Sequence, residues 1–270
     1  MDGEDVYILD FNFPVVKIIV IGEIGKETLE KFCNSYFYNY YKHTQMNLNL
    51  YSLTDKTSDQ EIENLIYDSH WIFVIADYKD LELARKIEQF DKCNLKTNLF
   101  LFPTVKDIKI DEIKKDFGTV IALPEDKISE IRFTKYELIT KIITMILYTI
   151  SDKILVGLDF YDIITTMKNA GIMYVGIGEL SKGDLPINAV KKSLKFPLML
   201  CDTNKSSRAL VNFIGDNEEF SMMEISESID FIEKFCIKKI MNNDDYIFIW
   251  QVSVEENSNG ISVIIIASDS

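Results

Sequence analysis

Two carboxylates three residues apart, Asp159 and Asp162, stand in the run Gly157-Leu158-Asp159-Phe160-Tyr161-Asp162-Ile163-Ile164-Thr165-Thr166-Met167. Spaced i, i+3 where a helical pattern begins, both can project from one side and sit well against the positive end of the helix dipole. They either cap that helix or present paired negative charge to something outside it. A second candidate is Gly22-Glu23-Ile24-Gly25-Lys26, directly after an apolar run. Glycine lets successive backbone N–H groups converge on an anion. A G-x-x-G-K fragment without full Walker spacing is equally a tight strand-to-helix turn, so Gly22 and Gly25 are at most vestiges of a nucleotide site. After the next apolar run comes Asp77-Tyr78-Lys79-Asp80-Leu81-Glu82-Leu83-Ala84, with three acids and no glycine. That composition repels phosphate, and Lys79 reads as a solvated first-turn residue. Cys33, Cys93, Cys201 and Cys236 are widely separated, form no C-x-x-C pair and have only His43 and His70 to help them. No metal site is expected, and reduced thiols are.

These groups must be held by elements that the apolar periodicity outlines. Strands are expected over 15–21, 47–53, 71–76, 97–102 and 119–123, alternating with helices over 27–40, 58–67, 79–90 and 110–115. Ser58 is a candidate N-cap with Glu61 three residues on. This is the pattern of a doubly wound, Rossmann-like α/β domain with a parallel sheet. Pro124 suits a helix start. The stretch 134–151 carries Leu138, Ile139, Ile142, Ile143, Ile146, Leu147 and Ile150, a stripe too broad for a surface helix, so it should lie between two layers. Beyond it the order changes to strand 171–178, helix 185–195, strand 208–214, helix 221–240 and strands 245–254 and 260–267. The last two read as an adjacent pair turned by Asn257-Ser258-Asn259-Gly260. The organisation is therefore a domain over 1–133, a central helix over 134–152 and an α+β domain over 153–270.

Composition removes several classes of function. The 270 residues are 47% hydrophobic, enough for a substantial core, and the formal net charge is −14. Such acidity argues against nucleic acid and against an anionic membrane surface. No apolar run approaches the roughly 20 residues that span a bilayer, and Met1-Asp2-Gly3-Glu4-Asp5 is acidic where a signal peptide is basic. A cytoplasmic location is expected.

Several of these runs resemble, in order, the motifs of FtsZ, the bacterial relative of tubulin. The 157–167 segment resembles N-x-D-F-A-D-V, and Gly171-Ile172-Met173-Tyr174-Val175-Gly176-Ile177-Gly178 is similar to the strand that follows it in that family. Arg208-Ala209-Leu210-Val211-Asn212-Phe213-Ile214-Gly215 looks like its G-x-L-x-N-I-T-G strand. The runs 244–250 and 261–268 resemble its last two strands, so the likeness covers about half of the chain at motif level. The resemblance implies the FtsZ/tubulin fold and assigns Asp159 and Asp162 to a loop that polarises water at the γ-phosphate of the neighbouring subunit, a head-to-tail arrangement. Three departures accompany it: Gly157 replaces an asparagine, Tyr161 replaces an alanine, and the loop after Ile150-Ser151-Asp152 reads as shorter. The family's glycine-rich phosphate loop falls at 77–84, where no glycine stands. Counting back from Ile150 puts Thr140 and Lys141 where guanine is recognised, and lysine cannot accept hydrogen bonds from the guanine edge.

The expectation is a divergent FtsZ/tubulin-like protein without bound nucleotide, docking on an FtsZ-like subunit or on itself head to tail and not hydrolysing GTP. A GTP- or GDP-binding, self-assembling GTPase with an atypical pocket is the alternative. A third is an unrelated scaffold whose acidic surface seeks a basic protein. The sequence ends at Ser270, just after the last strand and without the family's tail for membrane tethers, so no direct membrane binding is expected. The aromatic run 36–41 is a further candidate interface.

Overall fold

The computed structural model describes residues 14–41, 47–90, 97–102, 113, 115–151, 154–200, 206–216, 220–236, 247–256 and 258–268. Runs rich in β-branched residues give β1 (Val15–Ile21), β3 (Trp71–Ile75) and β5 (Thr119–Ala122), and leucine- and aromatic-bearing runs give β2 (Asn47–Leu53) and β4 (Thr97–Phe102). All five run parallel, in the spatial order β2-β1-β3-β4-β5. Alternation along β1 sends Val16, Ile18 and Val20 into one core and Ile19 and Ile21 into another, so both faces of this sheet are covered. Lys17 shares the second face. It is 2% exposed, and its ammonium donates to the Leu65 carbonyl and the Asp68 carboxylate, at the C-terminal end of a helix where a cation is favoured.

The helices of this half are α1 (Gly22–Cys33), α2 (Tyr36–Tyr41), α3 (Asp59–Tyr67), α4 (Leu81–Phe90) and α5 (Glu125–Ile128). Ser58 caps α3 in a complete capping box with Glu61, as the sequence indicates. The helix expected over 27–40 begins instead at Gly22 and breaks at Asn34-Ser35, where Ser35 Oγ accepts from the Tyr38 N–H and starts α2. The helix expected over 110–115 lies mostly outside the described residues, as do Cys93 and Cys201.

The central helix α6 (Lys135–Leu147) opens with a capping box between Thr134 and Glu137. Leu138, Ile139, Ile142, Ile143, Ile146 and Leu147 are all fully buried, which is the two-layer burial its stripe predicts. Beyond it come β6 (Ile154–Val156), α7 (Phe160–Met167), β7 (Gly171–Ser181), α8 (Pro186–Ser193), β8 (Arg208–Gly215), α9 (Met222–Cys236), β9 (Ile247–Val254) and β10 (Gly260–Ser268). The three-residue strand β6 has no sequence signature of its own; it exists because β9 offers it an edge.

β7 pairs parallel with β5, so one ten-stranded sheet runs through both halves in the order β2-β1-β3-β4-β5-β7-β10-β8-β9-β6. The adjacent pair expected from 245–254 and 260–267 does not form. β8 lies between β9 and β10, parallel to the first and antiparallel to the second. Skipping one strand is a step of about 10 Å, within reach of the residues between Val254 and Gly260, so the turn chemistry there serves a crossing rather than a hairpin.

Buried side chains of the second half tie it to the end of α6. Asn212 donates through Nδ2 to the Met145 carbonyl at 3.1 Å, Ser253 Oγ lies 3.0 Å from Asn212 Oδ1 and 3.2 Å from the Tyr148 carbonyl, and Gln251 donates to Ser253 at 2.9 Å. This buried network satisfies carbonyls left over at the C-terminal end of α6. The Gly176-x-Gly178 spacing of β7 has an equally local cause. A Cβ at either position would collide with the backbone carbonyl of Ser193 or of Ala189, so the pair lets α8 lie against the strand.

Candidate functional site

The chain has two candidate surfaces, and the sheet holds them at opposite ends. The first is built where β1 ends. Ile21 is the residue before α1 and offers no side-chain cap, and Gly22 turns the chain with φ +70°, a conformation that favours glycine. The facing segment after β3 forms a single 3-10 turn, Tyr78–Asp80, capped by Asp77, whose Oδ1 accepts from the Tyr78 N–H at 2.7 Å. This turn carries the Asp80 carboxylate onto Gly22, where a Cβ would collide with Oδ2. Asp80 Oδ2 is buried and has no hydrogen-bond partner among the described residues. Burial pushes the Asp80 carboxyl above its ordinary range, against the opposing pull of Lys79. Tyr136, from the first turn of α6, reaches the same region: its phenol donates to Glu27 and, with Glu23 and Asp77 nearby, is pushed up to about 12. Gly25 has a different task, since a Cβ there would meet Val20; it brings α1 close to β1.

A triphosphate needs converging N–H donors and cations at this place. The structure supplies a carboxylate against Gly22, with Asp55, Asp77 and Lys79 as its charged neighbours, so the residues present do not suit a nucleotide's phosphates. The base-recognition positions inferred from the sequence have partners of their own. Lys141 pairs with Glu179 on β7 and lies 5.7 Å from the Phe133 ring centre. Thr140 donates to the Thr28 carbonyl at 3.5 Å. Tyr136, one turn earlier on α6, is the side chain that sequence reasoning missed. The only signal for it was its place at the N-terminal end of the helix that follows the parallel strands.

The second surface is the N-terminal turn of α7. Asp159 is its N-cap and accepts from the Tyr161 N–H at 2.5 Å, so one oxygen serves the helix, as the simple capping reading requires. Asp162 is exposed on the first turn, and Tyr161 beside it is 53% exposed. Gly157 passes so near Ile154 that a Cβ would sit 2.5 Å from its Cγ2. The other end of α7 is held by Arg208, which donates to the Thr165 carbonyl at 3.1 Å and to that of Lys168. Phe160 meets Trp71, the first residue of β3, at a ring separation of 6.2 Å. Thr119, the first of β5, donates to the Met167 carbonyl. α7 therefore lies beneath the starts of the parallel strands, whereas Gly22 and Asp80 lie beyond their ends. A strand of five residues separates the two surfaces by roughly 17 Å. The acids and the glycine turn cannot act on one ligand within one chain; they meet only if one copy or relative stacks on another.

No family model matches the chain. It is 28% identical to "Cell division protein FtsZ 1" of Archaeoglobus fulgidus over 170 residues, which is 59% of this chain and 44% of that protein. The chain spans less than half the length of the first curated relatives it matches. Among solved structures, an FtsZ mutant of M. jannaschii superposes with a TM-score of 0.74 at 17% identity, covering 95% of this chain and 91% of that one. GDP-form protofilaments of Bacillus thuringiensis serovar israelensis TubZ give 0.63 at 12% identity, covering 94% and 84%. The sequence relatives, the ten-stranded sheet and the central helix together show a chain that is FtsZ/tubulin-like in fold and divergent in sequence.

Proposed function

We propose that this chain is an FtsZ/tubulin-like cell-division or cytoskeletal protein that holds no nucleotide of its own. It acts by docking the Asp159/Asp162 surface on the nucleotide-bearing end of an FtsZ-type subunit. Having no competent upper end, it then stops further addition. The observation that carries this reading is the Asp80 carboxylate seated against Gly22. It puts a carboxylate where a phosphate would otherwise meet the start of α1, and two anions there would repel each other. On this reading Asp162 is the acid that faces the partner's nucleotide, while Asp159 fixes the helix that presents it. No hydrolytic step is assigned to this chain's own upper end.

Co-sedimentation with a polymerising FtsZ tests the proposal. Substoichiometric amounts of the chain should lower polymer mass or shorten polymers. Unchanged mass, length and GTP turnover would sink it.

A second reading is favoured by the protofilament form of the TubZ neighbour: the chain itself binds GTP and assembles head to tail. Titration calorimetry with GTP, GDP and ATP separates the two, because tight magnesium-dependent GTP binding is incompatible with the first.

A further inference from the structure

The ten-stranded sheet has two margins, and they are built differently. At the far margin β6 has three residues, and its register with β9 shifts between Ile154 and Val156. A short, irregular edge of this kind discourages a further strand. At the near margin β2 runs for seven residues in unbroken register with β1 and pairs with no other described strand. Its sequence, Asn47-Leu48-Asn49-Leu50-Tyr51-Ser52-Leu53, holds no charge, proline or glycine, in a chain whose formal charge is −14. This edge is neither short, charged, bulged nor interrupted, so none of the usual devices keeps it single.

The cover of the core also runs out along β2. Val16 and Ile18 of β1 are 0% and 1% exposed, whereas Leu48 and Leu50, beside them in register, are only half-buried. On the opposite face Asn49 donates through Nδ2 to Asn47 Oδ1 along the strand at 2.7 Å. A further strand would cover both leucines and take up the outward-pointing N–H and C=O groups of every second residue.

We propose that β2 is a pairing edge for a second copy of this chain, joined antiparallel about a two-fold axis at Asn49. A two-fold contact sets the same residues against each other in reverse order, so the strand must match its own reversal. Around Asn49 it does: Leu48 comes opposite Leu50 of the second copy, Leu50 opposite its Leu48, and the two Asn49 side chains face each other. Each amide can both donate and accept, and the leucine pairs close two half-covered margins of core. A second copy brings no charge to this strand, where the acidic ends of two copies repel. The edge lies at the side of the sheet, and the Asp80 and Asp159/Asp162 surfaces lie at its ends. The inference is therefore independent of the docking reading.

The test is sedimentation equilibrium of the full chain from about 1 μM to about 1 mM, with amide hydrogen exchange measured at both ends of that range. A contact of one strand on another is small and hence weak. A reversible monomer–dimer equilibrium, half-associated at about 100 μM, is expected. Amides of β2 should exchange more slowly in the dimer, and those of α7 should not change. Asn49→Glu sets two carboxylates opposite each other and should weaken the dimer at least about fivefold, whereas Asn49→Gln keeps the amide pair and should dimerise like the wild type. The exchange pattern needs no variant, so it decides the matter even where Asn49→Glu lowers the melting temperature. A chain that stays monomeric at about 1 mM, association that leaves β2 exchange unaltered, or a folded Asn49→Glu variant that dimerises like the wild type would overturn the inference.

Discussion

The carboxylate of Asp80 rests against the α-carbon of Gly22, closing the turn between β1 and α1 with the chain's own negative charge. Burial raises the Asp80 carboxyl, and the sign of its effect on stability follows. A carboxyl whose folded value lies above its unfolded one contributes stability that is fully present below the unfolded value and lost as pH rises through the folded one. At neutral pH the ionised group is therefore a liability. Asp80→Asn should raise the melting temperature at about pH 7 and lose that advantage by about pH 4. Thermal melts at the two values decide it, and a lower melting temperature for the variant at neutral pH contradicts the account.

Gly178 and Gly183 separate two reasons for glycine. At Gly178 an added Cβ strikes the Ala189 carbonyl, which is backbone and cannot step aside, whereas Gly183 has φ +85° and open space around it. Gly183→Ala should cost about 1–2 kcal/mol, from backbone strain alone. Gly178→Ala should cost about 3 kcal/mol, because α8 must move off β7. Denaturant unfolding of both variants checks the order; a milder Gly178→Ala would mean that α8 is not packed as seen.

Which parts of this were legible in the sequence follows from how local their causes are. The strands β1, β2 and β4 match their expected bounds because each is a short apolar or alternating run between polar segments. Ser58 and Glu61 form their capping box because both partners lie within four residues. The short strand and the strand pairing that went unread depend on remote neighbours. β6 takes its form from β9, and β8 enters between β9 and β10 because of pairings no turn motif encodes. At the candidate site the absence of glycine at 77–84 could be read directly. That Asp80 in particular turns back onto Gly22 could not, since it depends on the 3-10 turn after β3. Nor could the reach of Tyr136 to Glu27, which depends on how α6 packs beside α1.

Asn212 looked like a family motif residue and proves to be a helix-end ligand. Its amide donates to the Met145 carbonyl and its oxygen lies 3.0 Å from Ser253 Oγ, both buried. Asn212→Ala leaves a helix carbonyl and a serine hydroxyl unpaired inside the protein, at a cost of about 1–3 kcal/mol. Asn212→Asp should be worse, because a carboxylate cannot donate to the Met145 carbonyl and carries charge into the core. Melting temperatures ordered wild type, then Ala, then Asp are expected; equality of all three would show that the network does not hold α6.

Charge also constrains how copies of this chain could stack. One end presents Glu23, Glu27, Asp77 and Asp80, and the other presents Asp162 on an exposed turn with Asp159 beside it. Head-to-tail contact between two copies brings acid against acid, a repulsion that reaches across the contact at low ionic strength and is screened within about 10 Å at 0.1 M salt. Self-association should accordingly be weak in dilute buffer and strengthen as salt is added, the opposite of a contact held by ion pairs. Asp162→Asn should shift the onset of association to lower salt. Sedimentation velocity across a salt series measures both effects. Association that is strongest at low salt would mean that the two acidic ends are not the surfaces that meet.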